Sequence, residues 1–429
     1  MVSTTHSVPD LIAWKRDGHA FNDVMIHRFI DGLLSGEVAP EQVGAWLMAC
    51  QIQGLTPQET SSLTKHMATS GATLERRTGR VDKHSTGGVG DKMSLILAPC
   101  LAASGLVVPM LAGRGLAHTG GTIDKLEAIP GFNTGLSLEA MRTNPCFISR
   151  QTEGIAPADR ILYAARDVTA TVPQIGLITA SIVSKKYAEG LERLVLDVKC
   201  GRAAFMQTLD EARALARSMV HVGSALGMEV TAQITSMDHP IGRLLGNAHE
   251  VAESIHCLRG EGPEDTMELV RMQANALGAD VDVVIASGSA LEAFADMCRR
   301  QGVEEKTVAS LIEDPWSVLS RGKVRTTVKA PSSGWVSDVD ALALGRLLVQ
   351  IGAGRNHPAD VVDHGAGIEV LAHVGDRVEE GQPLMIIDHN RSNAIPAEST
   401  AFTVQATQPT PRATSRLLES IDVNDVQVV

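Results

Sequence analysis

Between residues 9 and about 70, apolar side chains recur near helical spacing. Val24, Ile26, Phe29, Ile30, Leu33 and Leu34 follow one stripe, and Gly36 and Gly54 act as stops. This zone is predicted to be short helices throughout. From about 79 to 330 the pattern changes: glycine-rich turns alternate with apolar runs such as LVLDV (194–198) and VVIAS (283–287), both predicted as strands. Helical stretches such as LDEARALARSMVHVGSALG lie between such runs, which predicts an α/β region with a largely parallel sheet. A third zone begins near Val324, where KAPSSGWVSDV and HVGDRVEEGQPLMIID read as short strands joined by glycine turns. The final forty residues are polar and carry Pro396, Pro409 and Pro411, so they are predicted to be partly loose. No internal repeat is visible.

One stretch mimics a membrane span, because Ser94 to Gly113 carries no charge until Arg114. Pro99, Ser104, Gly105 and Pro109 interrupt it, so a buried helix followed by the short strand LVVPML is the expected structure. With 429 residues and 44% hydrophobic composition the chain can bury a large core spread over two or three domains. A net charge of -12 and a pI near 5.6 argue against nucleic-acid and anionic-membrane partners, both of which need a basic face. Any bound anion must be drawn by local cations. The six cysteines, at 50, 100, 146, 200, 257 and 298, form no C-x-x-C pair and read as reduced thiols. That pattern, with an N-terminus lacking an apolar signal core, leads us to expect a cytoplasmic protein.

The chemistry concentrates in DKHSTGGVGDKMS, residues 82–94. Gly87, Gly88 and Gly90 allow the backbone to turn with positive φ and to bring N–H groups close to an anion. Asp91 onward reads as a helix start, which places Ser94 in the first turn at the positive end of the helix. Lys83 adds a full charge and Ser85 a hydroxyl, a set suited to a phosphate dianion. A glycine-rich loop alone also reads as a plain tight turn. The second cluster, AGRGLAHTGGTIDKLEAIPGF (112–132), offers another helix start with Thr122 as its expected N-cap. Neither loop is a Walker A sequence, and GRGLAH misses the dinucleotide pattern at its last position.

Taken together, VDKHSTGGVGDK, PMLAGRGLAHTGGTIDKLEAIPGF, PADRILYAARDVTATV and LITASIVSKKYAEGLERLVLDVKCG closely resemble the thymidine phosphorylase and pyrimidine nucleoside phosphorylase family. The likeness runs from AWKRDGHAF to GDRVEEGQPL. It implies an all-α domain hinged to a large α/β domain with a β-rich C-terminal portion. Residues 1–70 and the discontinuous segment 158–190 would form the helical domain, 79–157 and 191–330 the phosphate-binding domain, and 331–429 the β-rich portion. The implied reaction is phosphorolysis of a pyrimidine nucleoside to free base and (2-deoxy)ribose 1-phosphate. Domain closure would bring the reactants together, and a homodimer through the helical domain is implied. No cofactor is expected, since phosphate is a co-substrate.

The resemblance assigns phosphate to Lys83, Ser85, Ser94 and Thr122, and the pyrimidine to Arg166, Ser181 and Lys185, with Leu116, Val172 and Ile178 packing on the base. Ser181 and Lys185 are i, i+4 and share a helix face. His84 matches the histidine at the base O2, where it protonates or hydrogen-bonds the departing base. As the glycosidic bond breaks the base leaves as an anion, so Arg166 and Lys185 meet charge that develops in the transition state. His118 reads as structural support.

Some positions depart from the family. Ala112 stands where the family places a phosphate-touching serine, and Ala117 where it places glycine. Pro173 and Gly176 rearrange the segment before LIT, with glycine expected to free a backbone angle near the domain junction. Lys92 is expected to set an ammonium near the glycine loop, with Glu253 as partner, and no residue cluster has metal-ligand spacing. The GDRVEEGQPL turn is similar to that of biotinyl and lipoyl carrier domains, but no lysine for attachment follows Trp335, so it reads as architecture. Two alternatives stay open: a phosphoribosyltransferase of the anthranilate type, and a member that binds nucleoside with impaired turnover. The choice between thymidine and uridine rests on packing that motifs do not fix.

Overall fold

The computed structural model describes residues 6–115, 118, 120–355, 357, 360–391, 400–410 and 415–426. The chain opens with α1 (Val8–Arg16), α2 (Asp23–Ser35), α3 (Pro40–Gln53) and α4 (Pro57–Ala68). It continues through β1 (Val81–Ser85), α5 (Met93–Ala103), β2 (Val108–Ala112), α6 (Thr122–Leu126), α7 (Leu138–Thr143) and β3 (Cys146–Arg150). Next come α8 (Pro157–Val168), α9 (Ile175–Ala188), β4 (Arg193–Cys200), α10 (Leu209–Ala225) and β5 (Glu229–Ser236). They are followed by β6 (Leu244–Gly246), α11 (Asn247–Leu258), α12 (Glu264–Ala276), α13 (Val281–Ala286), α14 (Ser289–Arg300) and α15 (Glu305–Glu313). The last part holds β7 (Val324–Lys329), β8 (Gly334–Val339), α16 (Ala341–Ile351), β9 (Gly367–Val370), β10 (Arg377–Val378), β11 (Pro383–His389), β12 (Phe402–Gln405) and β13 (Leu417–Ile421).

The helical zone forms because its caps and its stripe agree. Ser7 accepts from the Asp10 amide, Asn22 from Met25, and Thr56 forms a capping box with Glu59. On α2 the buried stripe is narrower than its sequence suggests: Met25, Ile26, Phe29, Ile30 and Leu33 are inside, whereas Val24 is 62% exposed. Phe29 stacks on Trp46 with ring centroids 4.3 Å apart. The same core takes in Ala158 and Leu162 of α8 and Leu177 and Ala180 of α9, so a later stretch of chain returns to complete the bundle.

The main sheet places β1, β4 and β5 parallel, and β13 closes its far edge antiparallel to β5. On the other side of β1, Val81 N donates to Val107 O at 2.9 Å and Val107 N to Gly79 O at 2.9 Å, which joins the parallel pair β2–β3 to it. The chain therefore runs from β1 outward through β2 and β3, then returns to β4 on the opposite side. Ligands of open α/β sheets bind in the crevice beyond the carboxyl ends of the strands at such a switch point. Ser85, Ala112 and Cys200 end the three strands that surround it.

Helix α5 resolves the uncharged stretch: Leu95, Ile96, Leu97, Ala98, Cys100 and Leu101 are all fully buried, as an all-apolar helix requires. No helix among the described residues is long and apolar enough to cross a membrane. The strand expected at 283–287 is instead helix α13, capped by Asp280, with Val281 and Val284 inside and Val283 exposed. A short apolar run does not distinguish the two states by itself, and the i, i+3 burial shows which one packs. In the C-terminal portion, β10–β8–β12 and β6–β9–β11–β7 form two small antiparallel sheets. Because β6 precedes α11, this portion is continuous with the α/β region. Part of the polar tail is ordered as β13, while Pro396 and Pro411 lie outside the described residues. The architecture is thus a helical bundle, a large α/β region and a β-rich C-terminal portion.

Candidate active site

Strand β1 presents VDKHS with the two-residue alternation of any strand, and the two faces meet different partners. Lys83 and Ser85 turn toward Asp91, which begins the run into α5. Lys83 Nζ lies 3.5 Å from Asp91 Oδ1, and the Ser85 hydroxyl donates to Asp91 Oδ2. Asp82 turns the other way, toward Lys186 of α9, and His84 shares that face.

The loop between β1 and α5 is shaped by its glycines, though not identically. Gly87 (φ 95) and Gly90 (φ 79) sit in the left-handed region, whereas Gly88 does not and is needed because an added Cβ would collide with Met237. Gly87 N donates to Ser85 Oγ at 3.2 Å. Ser94 is the second residue of α5 and is buried at its amino end. Asp91 is also buried. Burial alone would raise its carboxyl, but Lys83, Lys199 and Lys125, with the Ser85 hydrogen bond, hold it well below the usual range. Asp91 is therefore an ionised partner inside a cluster of ammonium groups, and it takes the single proton of the Ser85 hydroxyl. Lys125 of α6 is fully buried, donates to Asp91 O at 2.6 Å and lies 2.8 Å from Glu250 of α11.

Thr122 is the first residue of α6 rather than its N-cap; Gly121 takes the cap position without a side-chain bond. A Cβ at 121 would collide with the Gly115 amide, which leaves room only for glycine there. Ala112, half-buried, ends β2 beside this loop. Leu116 and Ala117 lie outside the described residues. His118 contacts Ala203 O at 3.0 Å, in keeping with a supporting role.

The base-recognition candidates gather on α8 and α9. Arg166 is buried and its guanidinium contacts the α8–α9 loop and the first turn of α9: Nη2 donates to Val172 O at 2.6 Å, Nε to Thr171 O at 3.4 Å and Nη1 to Leu177 O at 3.0 Å. Lys185 Nζ donates to Ser181 Oγ at 3.1 Å, as the i, i+4 spacing predicts, and to Asp159 Oδ2 at 2.6 Å. Val172 is half-buried in the loop, and Ile178 sits on the face of α9 that packs toward α10 and β4. Gly176 is helical and frees no turn. A Cβ there would sit 2.8 Å from Thr60 Oγ1 and 3.0 Å from Leu55 Cβ, so glycine permits close approach of α9 to the α3–α4 corner.

His84 joins the two clusters. Burial, followed by the positive charges of Lys186, Lys185 and Lys83, pushes its pKa well below the usual imidazole value, and Asp91 only partly offsets this. The ring is therefore neutral near pH 7. A neutral ring keeps one N–H, which suits the donation of a hydrogen bond to the departing base.

Sequence reasoning missed the group that holds these parts in register. Lys186 Nζ donates to Asp82 Oδ2, to Glu189 Oε1 at 2.8 Å and to Leu111 O at 3.0 Å, while Leu111 N donates to Glu189 Oε1 at 3.0 Å. Burial works against the Lys186 charge, but Asp82 and Glu189 outweigh it and hold its pKa above the ordinary value. Burial pushes the Glu189 carboxyl well above its usual range, and the Lys186 ammonium beside it only partly opposes this. The cluster couples β1, the end of β2 and α9. Lys92 behaves as expected, forming a buried 2.6 Å ion pair with Glu253 and donating to Ile241 O at 3.0 Å. No group of three or more His, Cys, Asp or Glu able to hold a metal occurs among the described residues.

Comparison with known proteins gives this geometry its context. Residues 9–71 match the glycosyl transferase family helical bundle domain, 77–299 the glycosyl transferase family a/b domain, and 335–405 the pyrimidine nucleoside phosphorylase C-terminal domain. The chain is 45% identical to human thymidine phosphorylase over 401 residues, covering 88% of this chain and 83% of that protein. It is 41% identical to pyrimidine-nucleoside phosphorylase from Geobacillus stearothermophilus over 402 residues, 89% and 92% of the two chains. Among solved structures, anthranilate phosphoribosyltransferase from Thermus thermophilus superposes with a TM-score of 0.53 at 17% identity, covering 68% of this chain and 99% of that one, a likeness of fold. The chain belongs to the thymidine phosphorylase and pyrimidine-nucleoside phosphorylase family.

Proposed function

We propose that the protein catalyses reversible phosphorolysis of thymidine and 2′-deoxyuridine, and of uridine if its sugar pocket admits the 2′-hydroxyl. One observation carries the reading: a single strand, β1, offers Lys83 and Ser85 to an anion pocket on one face and His84 to the Lys185 side on the other. Phosphate binds through Lys83, Ser85, Ser94 and Thr122, and for Ser85 to donate to it Asp91 must release the hydroxyl proton. The base is gripped by Arg166, Ser181 and Lys185. A phosphate oxygen forms its bond to C1′ as the C1′–N1 bond breaks, and the electron pair leaves on the base. Lys185, Arg166 and neutral His84 donate to the oxygens where that charge gathers, and a proton passed from phosphate completes the free base. Fixed donors of this kind each lower the barrier by about 3 kcal/mol.

The protein works without a resident cofactor, phosphate being the co-substrate. It acts as a cytoplasmic homodimer through the helical domain. Exposed Met48 and Ile52 on α3, and Ile161 and Val168 on α8, leave apolar side chains on the helical domain that such an assembly would cover. Six buried free cysteines, with thiols such as Cys100 pushed up to about 12 by burial, fit a reducing compartment. Incubation with thymidine, 2′-deoxyuridine or uridine, with and without phosphate and without added metal, tests the activity by release of free base. Dependence on phosphoribosyl pyrophosphate and Mg²⁺ would favour the transferase reading, and binding without turnover the impaired one.

A further inference from the structure

Strand β13 belongs to a tail beyond the three matched segments, yet this tail reaches back toward the glycine loop. It pairs antiparallel with β5 and covers a sheet edge that would otherwise stand open. Just before the strand, Arg416 turns its guanidinium onto the loop between β5 and β6. Nη1 donates to His239 O at 3.1 Å and to Ser236 O at 3.4 Å, and Nη2 donates to Pro240 O. Nη2 and Nε also reach Asp265 Oδ2, at 2.7 and 3.1 Å, and Gly242 N donates to that same oxygen at 3.2 Å. All five guanidinium N–H groups are thus engaged, three with carbonyls of the β5 end and its loop and two with a carboxylate of α12. Burial works against the Asp265 charge, but Arg416 and the Gly242 amide outweigh it and hold the carboxyl below its usual range.

The loop so held is the floor of the glycine turn after β1. Met237 and Ile241 are fully buried in it. Ile241 N donates to Val89 O at 3.0 Å, and Ile241 O accepts from Lys92 Nζ at 3.0 Å. An added Cβ would collide with Met237 Sδ at Gly88 and with Ile241 O at Gly90. Packing this close leaves no free space between floor and turn, so a displaced floor carries the glycines with it. The turn leads directly into the amino end of α5, where Ser94 sits. We infer that Arg416 is a positioning residue for phosphate: with Asp265 it clamps the β5–β6 loop beneath the glycine turn and so holds the anion pocket in its binding geometry. A lysine at 416 would keep the charge but could not span three carbonyls and a carboxylate, because it lacks the planar fork.

The inference rests on the phosphorolysis proposed above, and the two fail separately. Affinities are read directly, by equilibrium dialysis with radiolabelled phosphate and with radiolabelled thymidine. A wild type that binds phosphate but releases no base would end the proposed activity and leave the clamp open to the same test. Arg416→Ala and Arg416→Lys are both expected to weaken phosphate by about 10-fold while changing thymidine affinity by less than about 2-fold. Added methylguanidine should restore phosphate affinity to Arg416→Ala by refilling the fork. Unaltered phosphate affinity, or an equal loss for both ligands that methylguanidine does not mend, overturns the assignment. A measurement free of folding effects uses the wild type alone. Coupling is reciprocal, so phosphate should slow amide hydrogen exchange at residues 237–242 and 417–421 by about 5-fold or more, and thymidine should not. Exchange there that ignores phosphate sinks the idea.

Discussion

Replacing Lys186 with methionine keeps the volume of a side chain that is 1% exposed and removes the only ammonium it brings to Asp82. Three hydrogen bonds from Nζ disappear with it. The carboxylate of Asp82, which is fully buried, is left without that compensating charge. Stranding one partner of a buried ion pair costs about 3–5 kcal/mol, a large share of the roughly 5–15 kcal/mol by which a typical protein is stable. Lys186→Met is therefore expected to lower the urea-unfolding midpoint, followed by circular dichroism, by an amount equivalent to about 3–5 kcal/mol. The double variant Lys186→Met with Asp82→Asn removes the stranded charge and should recover about half of the loss, since an amide tolerates burial better than a carboxylate. Since Asp82 adjoins Lys83 and Lys186 adjoins Lys185, the single variant should also lose phosphorolysis under conditions where it remains folded. A single variant within about 1 kcal/mol of wild type would refute the reasoning, because that is the range of an exposed pair.

Glu189→Gln should flatten the pH dependence of stability. The folded pKa of Glu189 lies above its unfolded value, so its contribution is complete below the ordinary carboxyl range and is lost as pH rises through the folded value. Melting temperatures between pH 5 and 9 check this, and identical slopes for variant and wild type would contradict it. His84→Gln should retain more activity than His84→Ala, since a neutral ring acts as a donor that an amide can imitate; equal losses would favour proton delivery by the ring. Ala112→Ser should lower KM for phosphate by roughly 10-fold, the equivalent of one hydrogen bond to a charged group, with kcat little changed. Gly176→Ala should destabilise by about 1–3 kcal/mol in thermal unfolding through its 2.8 Å approach to Thr60.

What the sequence made legible was whatever depends on local pattern. The stripes and caps of α1–α4, the glycine turn after β1 and the i, i+4 pairing of Ser181 with Lys185 all follow from spacing along one element. What it hid depends on which elements meet. VVIAS has no period long enough to show that it coils, and only the burial of Val281 and Val284 against the core decides it. Gly176 looks like a freed turn until α4 is laid against it. Lys185 and Lys186 are neighbours of one type, yet the first reaches Asp159 and the second enters the sheet, because successive helical positions point about 100° apart. Buried charges such as Lys125, Lys186 and Asp82 read as solvated surface in one dimension, since nothing nearby in the chain names their partners.

The two-faced character of β1 makes this strand unusually intolerant of length change. An inserted or deleted residue upstream of Lys83 that kept the pairing with β4 would exchange the occupants of the two sides, sending ammonium and hydroxyl toward α9 and the imidazole into the anion pocket. Both co-substrates would lose their contacts in one event, with the composition of the strand almost unaltered. Evolution can therefore retune either pocket by point replacement, but the count of residues between Gly79 and Gly87 is shared by both and is not free to drift.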